Sequence, residues 1–232
     1  MVDLCSEKSR VEKALRATLQ ESVDAGVPEI VAAISSSKGI PLSSSTNCAE
    51  IETSKDIDIN NVFGIGSITK VFVAVVIFQL IEERKLTLST RLGDILPPDI
   101  LDGIANAADA TIDILLNHTS GVESWEDDPI WIAEGRGMRS TYFEGFEKPG
   151  EGPVTSRYHW ATEIFIKDAG ICPAFTRPSG FLINASASNL SVEWTAGGIV
   201  SSAPDLLKSI IALRDGRLAS PSFLEVMKTW RT

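Results

Sequence analysis

Apolar residues at Val11, Leu15, Leu19 and Val23 recur four positions apart with Glu, Lys and Arg between them, which predicts an amphipathic helix over residues 7–25, ended by Gly26 and lying across a sheet. Glu29 then opens the short apolar run Ile30-Val31-Ala32-Ala33-Ile34, which leads into Ser- and Gly-containing sequence and predicts a buried strand. Residues 35–58 are polar and rich in Ser, Thr and Asp, and read as a hairpin and loop. The pattern changes at Phe63-Gly64-Ile65-Gly66-Ser67-Ile68-Thr69-Lys70, a Gly-bracketed approach to an apolar stretch over residues 71–81. That stretch is apolar on all sides, which predicts a helix enclosed by a globular core, and it is too short to span a bilayer. A second helix is predicted over residues 110–116, with Thr111 as its N-cap and His118 just past its end. Residues 144–194 are Gly-, Pro- and Ser-rich with scattered aromatics, the composition of a long excursion over a substrate cleft, whose aromatics either contact ligand or, as the favoured reading, cover the core. Ser202 caps a helix carrying Leu206, Leu207, Ile210, Ile211 and Leu213 and closed by Gly216, and Pro221 opens a last one with Phe223, Leu224, Val226 and Met227.

Composition narrows the classes. The 232 residues are 44% hydrophobic and 22% charged, enough for one sizeable core or two small domains. A net charge of −10 with no basic patch argues against nucleic acid and anionic membranes as partners. Cys5, Cys48 and Cys172 are scattered and odd in number, and read as free thiols rather than a disulfide framework or a metal knuckle. His118 and His159 are the only histidines, and neither has Cys or carboxylates at ligand spacing, so no metal and no cofactor is expected. His118 itself reads as a structural hydrogen-bonding residue. The first residues carry no apolar segment of signal-peptide length, and a cytoplasmic location is expected.

The candidate chemistry lies at Ser67 and Lys70. Ser67 falls in the first turn of the apolar helix, where unpaired N–H groups and the positive dipole end gather. Lys70 is three residues on, about 5–6 Å away at Cβ on one face of a helix. Desolvation at the mouth of an apolar core lowers a lysine pKa and frees the amine to act as base for a serine hydroxyl. An ordinary serine N-cap and a snorkelling surface lysine account for the same two residues. Ser35-Ser36-Ser37-Lys38 repeats the spacing without an apolar helix behind it.

Phe63 to Phe72 resembles the nucleophile motif of the penicillin-recognising serine hydrolases, which include class C β-lactamases, D-Ala-D-Ala carboxypeptidases and related esterases. Leu115-Leu116-Asn117-His118-Thr119-Ser120-Gly121 is similar to the LLxHTSG segment of that family. Residues 195–206, Thr-Ala-Gly-Gly-Ile-Val-Ser-Ser-Ala-Pro-Asp-Leu, are similar to its AGG-(V/I)-S-S-x-x-D-L segment. The resemblance implies an α+β, β-lactamase/transpeptidase-like fold: an antiparallel sheet flanked by helices, with a helical insertion. It divides the chain into a discontinuous sheet domain, residues 1–66 and 142–232, and a helical domain, residues 67–141. It also implies an acyl-enzyme reaction on a small-molecule or peptide substrate with an amide or ester bond, with Ser67 as nucleophile and Lys70 as base.

The chain departs from the family pattern at two places. A Tyr-Xaa-Asn motif is expected after Trp125-Glu126-Asp127-Asp128-Pro129-Ile130-Trp131-Ile132. Instead Gly135-Arg136-Gly137 runs into Met138-Arg139-Ser140-Thr141-Tyr142, similar to the later LGMxxT segment, as though the helical domain were shortened near Gly137. Neither Tyr142 nor Tyr158 is followed two residues on by Asn, and no Lys-Thr-Gly or His-Xaa-Gly follows residue 206. A non-catalytic remnant that keeps the framework and at most binds ligand is therefore a second reading. Both departures predict uncovered apolar surface, marginal stability and self-association.

Overall fold

The computed structural model describes residues 4–35, 41–50, 53–122, 154–163, 167, 174–187 and 194–229. These fall into two compact units, one built from Met1–Ser67 with Gly137–Ile211, the other from Ile68–Arg136 with Ala212–Thr232. The first mixes helices with small antiparallel sheets, and the second, among the described residues, is helical apart from an isolated bridge between Arg91 and Thr111; together they give the α+β class that the resemblance implies.

The first unit opens with α1 (Leu4–Asp24), which lies against β1 (Glu29–Ser35) and β2 (Pro41–Glu50). Its apolar stripe buries Leu19 and half-buries Leu15 and Val23, while Val11 stays exposed, so only the C-terminal half of the helix is seated. β1 and β2 pair antiparallel, in register from Glu29 opposite Asn47 to Ser35 opposite Pro41, and β3 (Lys55–Asp56) pairs with β2 as a hairpin inside residues 35–58, giving the order β1-β2-β3. The apolar run of β1 is half-buried rather than buried, because among the described residues β1 pairs with β2 alone and one edge is left open.

Residues 144–194 contain more order than their composition suggests. β5 (Tyr158–Trp160), β6 (Thr176–Ser179) and β7 (Leu182–Asn184) form an antiparallel sheet in the order β5-β7-β6, around the buried Ala161, Ile183 and Ala185. The expectation that aromatics here cover the core fails for Trp160, which is 71% exposed and tilts against Phe181 at 5.9 Å between ring centres. His159, opposite the buried Ile183, is exposed as well, so the last two residues of β5 stay uncovered on both faces of the strand.

β4 (Val62–Gly64) pairs with β8 (Val200–Ser202), which follows the short α6 (Trp194–Gly197) and feeds α7 (Ala203–Arg214). Ser202 caps α7 as expected, its Oγ accepting the Asp205 N–H at 3.3 Å. Lys208 holds the Asp205 carboxyl below the usual range, mainly through a hydrogen bond, at the helix end where negative charge is favoured.

Glu29 gives this unit a pH dependence. Its Oε2 is buried without a hydrogen-bond partner, and burial pushes its pKa from the ordinary 4.5 up to about 8. A folded pKa above the unfolded one means that the stability contribution is complete below pH 4.5 and is lost as pH rises through about 8. Glu29→Gln is expected to flatten denaturation midpoints across that window. At pH 8 the gain should be about 2 kcal/mol, reduced from the full shift by solvent screening of a half-exposed group. Urea melts at pH 5 and pH 8 for both proteins check this, and parallel pH profiles would refute it.

The second unit is organised on α2 (Thr69–Glu82). Its core contains Val75 and Phe78, with Ala107, Ala110, Ile112 and Ala219 also buried. α8 (Pro221–Met227) docks by setting Phe223 at 5.0 Å from Phe78, and Ser220 N–H donates to Glu82 Oε1 at 2.8 Å. The expected enclosure of α2 on every side is not found: Val76 is 53% exposed and Val71 45%. Phe78 and Val76 are two residues apart and face nearly opposite ways around the helix, whereas Val71, seven residues before Phe78, shares its face near the N-terminal end of α2, so the exposure is not confined to one side. Short helices α3 (Leu92–Ile95) and α4 (Pro98–Leu101) follow, then α5 (Ile112–Leu116). Thr111 holds the N-cap position of α5 with extended backbone and no side-chain cap bond. The Thr90 and Leu88 carbonyls accept the Ile112 and Asp113 N–H groups instead, at 3.0 and 2.9 Å.

Candidate active site

Two of the motifs meet in the first unit. β4, the approach to Ser67, pairs antiparallel with β8 from the Gly-Gly-Ile-Val-Ser-Ser segment, Phe63 opposite Ser201 and Gly64 opposite Val200, and Ile65 N–H donates to the Ile199 carbonyl at 2.9 Å. Gly66 then takes φ +52° with open space where a Cβ would stand, a left-handed turn that glycine adopts without strain. A 3-10 turn, Gly66–Ile68, carries Ser67 and leads into α2. Ser67 is exposed. The N-cap position of α2 falls on Ile68, with helical backbone and no side-chain cap bond, and Ser67 stands one residue before it.

Lys70 sits in the first turn of α2 and is exposed, against the desolvated position expected for it, whereas the preceding Thr69 is buried. Ser35 ends β1, and Lys38 lies outside the described residues, as do Tyr142 and the junction at Gly137. Tyr158 stands half-buried in β5 opposite Asn184 of β7.

His118 closes α5. Its N–H donates to the Leu115 carbonyl at 3.2 Å and the Thr119 N–H to Ile114 at 2.9 Å, with His118 itself at φ +60°. This is the double closure that Gly26 makes after α1, with a histidine in the left-handed position. Left-handed backbone costs a residue with a Cβ about 1–2 kcal/mol, part of which glycine gives back through its freer unfolded chain. His118→Gly should therefore hold or raise stability, by up to about 1 kcal/mol. A thermal melt checks this, and a clear loss would show that the imidazole carries stability of its own.

Thr155 is the residue here that sequence reading passed over. Its N–H and Oγ1 both donate to the Val62 carbonyl, at 3.0 and 2.7 Å, and Val154 bridges Val62 in the parallel sense. A lone threonine in a Pro- and Gly-rich stretch carries no signal for such a contact. Among the described residues no three or more His, Cys, Asp or Glu stand together as metal ligands, and no helix is long and apolar enough to cross a membrane.

A family model described as Beta-lactamase matches residues 12–142. Penicillin-binding protein 4 of Amycolatopsis lactamdurans is 40% identical over 63 residues, which make up 27% of this chain and only 16% of that protein. D-amino acid amidase from Ochrobactrum anthropi SV3, in complex with D-phenylalanine, superposes with a TM-score of 0.71 at 18% identity, over 91% of this chain and 74% of that one. A D-stereospecific amidohydrolase from Streptomyces sp. reaches 0.65 at 22% identity, over 92% of this chain and 76% of that one. At these identities the superpositions speak for the fold.

Proposed function

The chain belongs to the Beta-lactamase family, and on that premise we propose that it is a serine hydrolase that attacks an amide or ester carbonyl through an acyl-enzyme, with Ser67 as nucleophile and Lys70 as base. The observation that carries the reading is the exposed Ser67 on a 3-10 turn, three residues before Lys70 in sequence and following a strand paired with the Gly-Gly-Ile-Val-Ser-Ser segment. A hydroxyl in that position adds to the carbonyl carbon while its proton passes to the lysine amine. Collapse of the adduct expels the amine or alcohol and leaves the ester on Ser67, and water then hydrolyses that ester. We assign the sheet domain to residues 1–66 and 142–232 and the helical domain to residues 67–141 as part of the same proposal. Substrates to test are β-lactams, peptides, simple esters and, from the similar amidases, amino acid amides. Labelling with a fluorescent penicillin or an activated ester, followed by peptide mapping, tests the reading.

The missing Tyr-Xaa-Asn motif favours a second reading, a binding protein without turnover, since nucleophile, base and proton-transfer groups act as a unit. Nitrocefin and p-nitrophenyl ester assays separate the two. Turnover lost in Lys70→Ala supports the hydrolase, whereas stoichiometric label without turnover supports the remnant. Self-association belongs to the proposal too, resting on the exposed Val71 and Val76 of α2, and size-exclusion chromatography with dye binding tests it. A monodisperse monomer that binds no dye would remove it. A cytoplasmic location belongs to the proposal as well, supported by the odd number and wide spacing of Cys5, Cys48 and Cys172, and is tested by cell fractionation.

A further inference from the structure

We propose that Thr155 is a positioning residue for Ser67, holding the strand that delivers the nucleophile; the inference rests on the acyl-enzyme reading above. Along an antiparallel pair the hydrogen-bonded positions alternate. Ile65 bonds to Ile199 across the β4–β8 pair, so residues 63 and 65 turn their backbone groups toward β8, and Val62 turns its carbonyl to the opposite edge of β4. Thr155 waits on that edge. Its N–H and its hydroxyl converge on the one Val62 carbonyl and fill both lone pairs, and the residue is 3% exposed, so water does not substitute for it.

β4 is therefore held on both sides, by β8 and by Thr155, immediately before the turn that carries Ser67. Only Ile65, itself bonded to Ile199, and Gly66, in its left-handed turn at φ +52°, separate the strand from the serine. The direction of the Ser67 hydroxyl is inherited from the path of β4. Loss of one bond to Val62 loosens that path by a fraction of an ångström, a displacement that a bound ligand tolerates and a reacting geometry does not.

The test compares the 232-residue chain with Thr155→Val and Thr155→Ser, following the rate of labelling by a fluorescent penicillin or an activated ester, the final extent of label per folded molecule and the half-saturating probe concentration. Thr155→Val should label Ser67 about 10- to 100-fold more slowly, with the half-saturating concentration unchanged. Thr155→Ser, which keeps the hydroxyl, should restore most of the rate. If Thr155→Val does not fold, Thr155→Ala removes the hydroxyl with less change of surface and carries the same comparison. Equal rates in wild type and variant, with Ser67 labelled in both, overturn the assignment of Thr155 alone. A lower final extent at an unchanged rate means that Thr155 holds the fold rather than the nucleophile, and overturns it as well. No label on Ser67 in the wild type overturns the acyl-enzyme reading and this inference together.

Discussion

Ser67→Ala is expected to abolish covalent labelling of the chain by a fluorescent penicillin or an activated ester, and Lys70→Ala to slow it by about 10²–10⁴-fold, the usual worth of a positioned general base. The asymmetry follows from the roles proposed. Without the hydroxyl no bond can form to the acyl group, whereas without the amine the hydroxyl still reacts, with water as the base. Because the two act as a unit, the double variant should be no slower than Ser67→Ala alone. Label that survives Ser67→Ala, or that maps to Ser35, would reject the nucleophile assignment. A Lys70→Ala protein that labels at the wild-type rate would reject the base. The departures from the family pattern bear on the size of the wild-type rate rather than on the identity of the nucleophile, so the variants remain informative when turnover is slow.

Phe78→Ala should cost about 3–5 kcal/mol, the range for deleting a buried aromatic ring. Phe78 is 3% exposed and lies 5.0 Å from Phe223, so the truncation opens a cavity in α2 and removes the contact that seats α8. Against a whole margin of about 5–15 kcal/mol this is a large fraction, and the melting temperature should fall by on the order of 10 °C. Val76→Ala on the same helix is the control: at 53% exposure it has little to lose beyond a partly hydrated side chain. A Phe78→Ala protein that melts with the wild type would show that the Phe78–Phe223 contact does not hold the second unit. Equal losses for the two variants would show that α2 is enclosed on both sides after all.

Local signals were legible in the sequence because they depend on a residue and its near neighbours. The four-residue spacing of Val11, Leu15, Leu19 and Val23 set α1 on the β1–β2 hairpin, and Gly26, Ser202, Gly216 and Pro221 marked helix ends where the structure has them. The three family motifs, read together, placed the chain in the Beta-lactamase family. Contacts between distant segments were not legible. Which strand pairs with β4 depends on residues 200–202, far along the chain, and no periodicity links the two. The β5-β7-β6 sheet escaped because strands of three or four residues, interrupted by Pro178 and Gly180, carry too little alternation to stand out from loop composition. An apolar run could announce a helix over α2 but not which of its faces would be covered, for burial is a property of what packs against a residue. Thr155 makes the same point at the candidate site: its type is unremarked in sequence, and only the fold brings its amide and hydroxyl to the carbonyl of Val62, because hydrogen-bond geometry is settled by tertiary approach and not by residue identity.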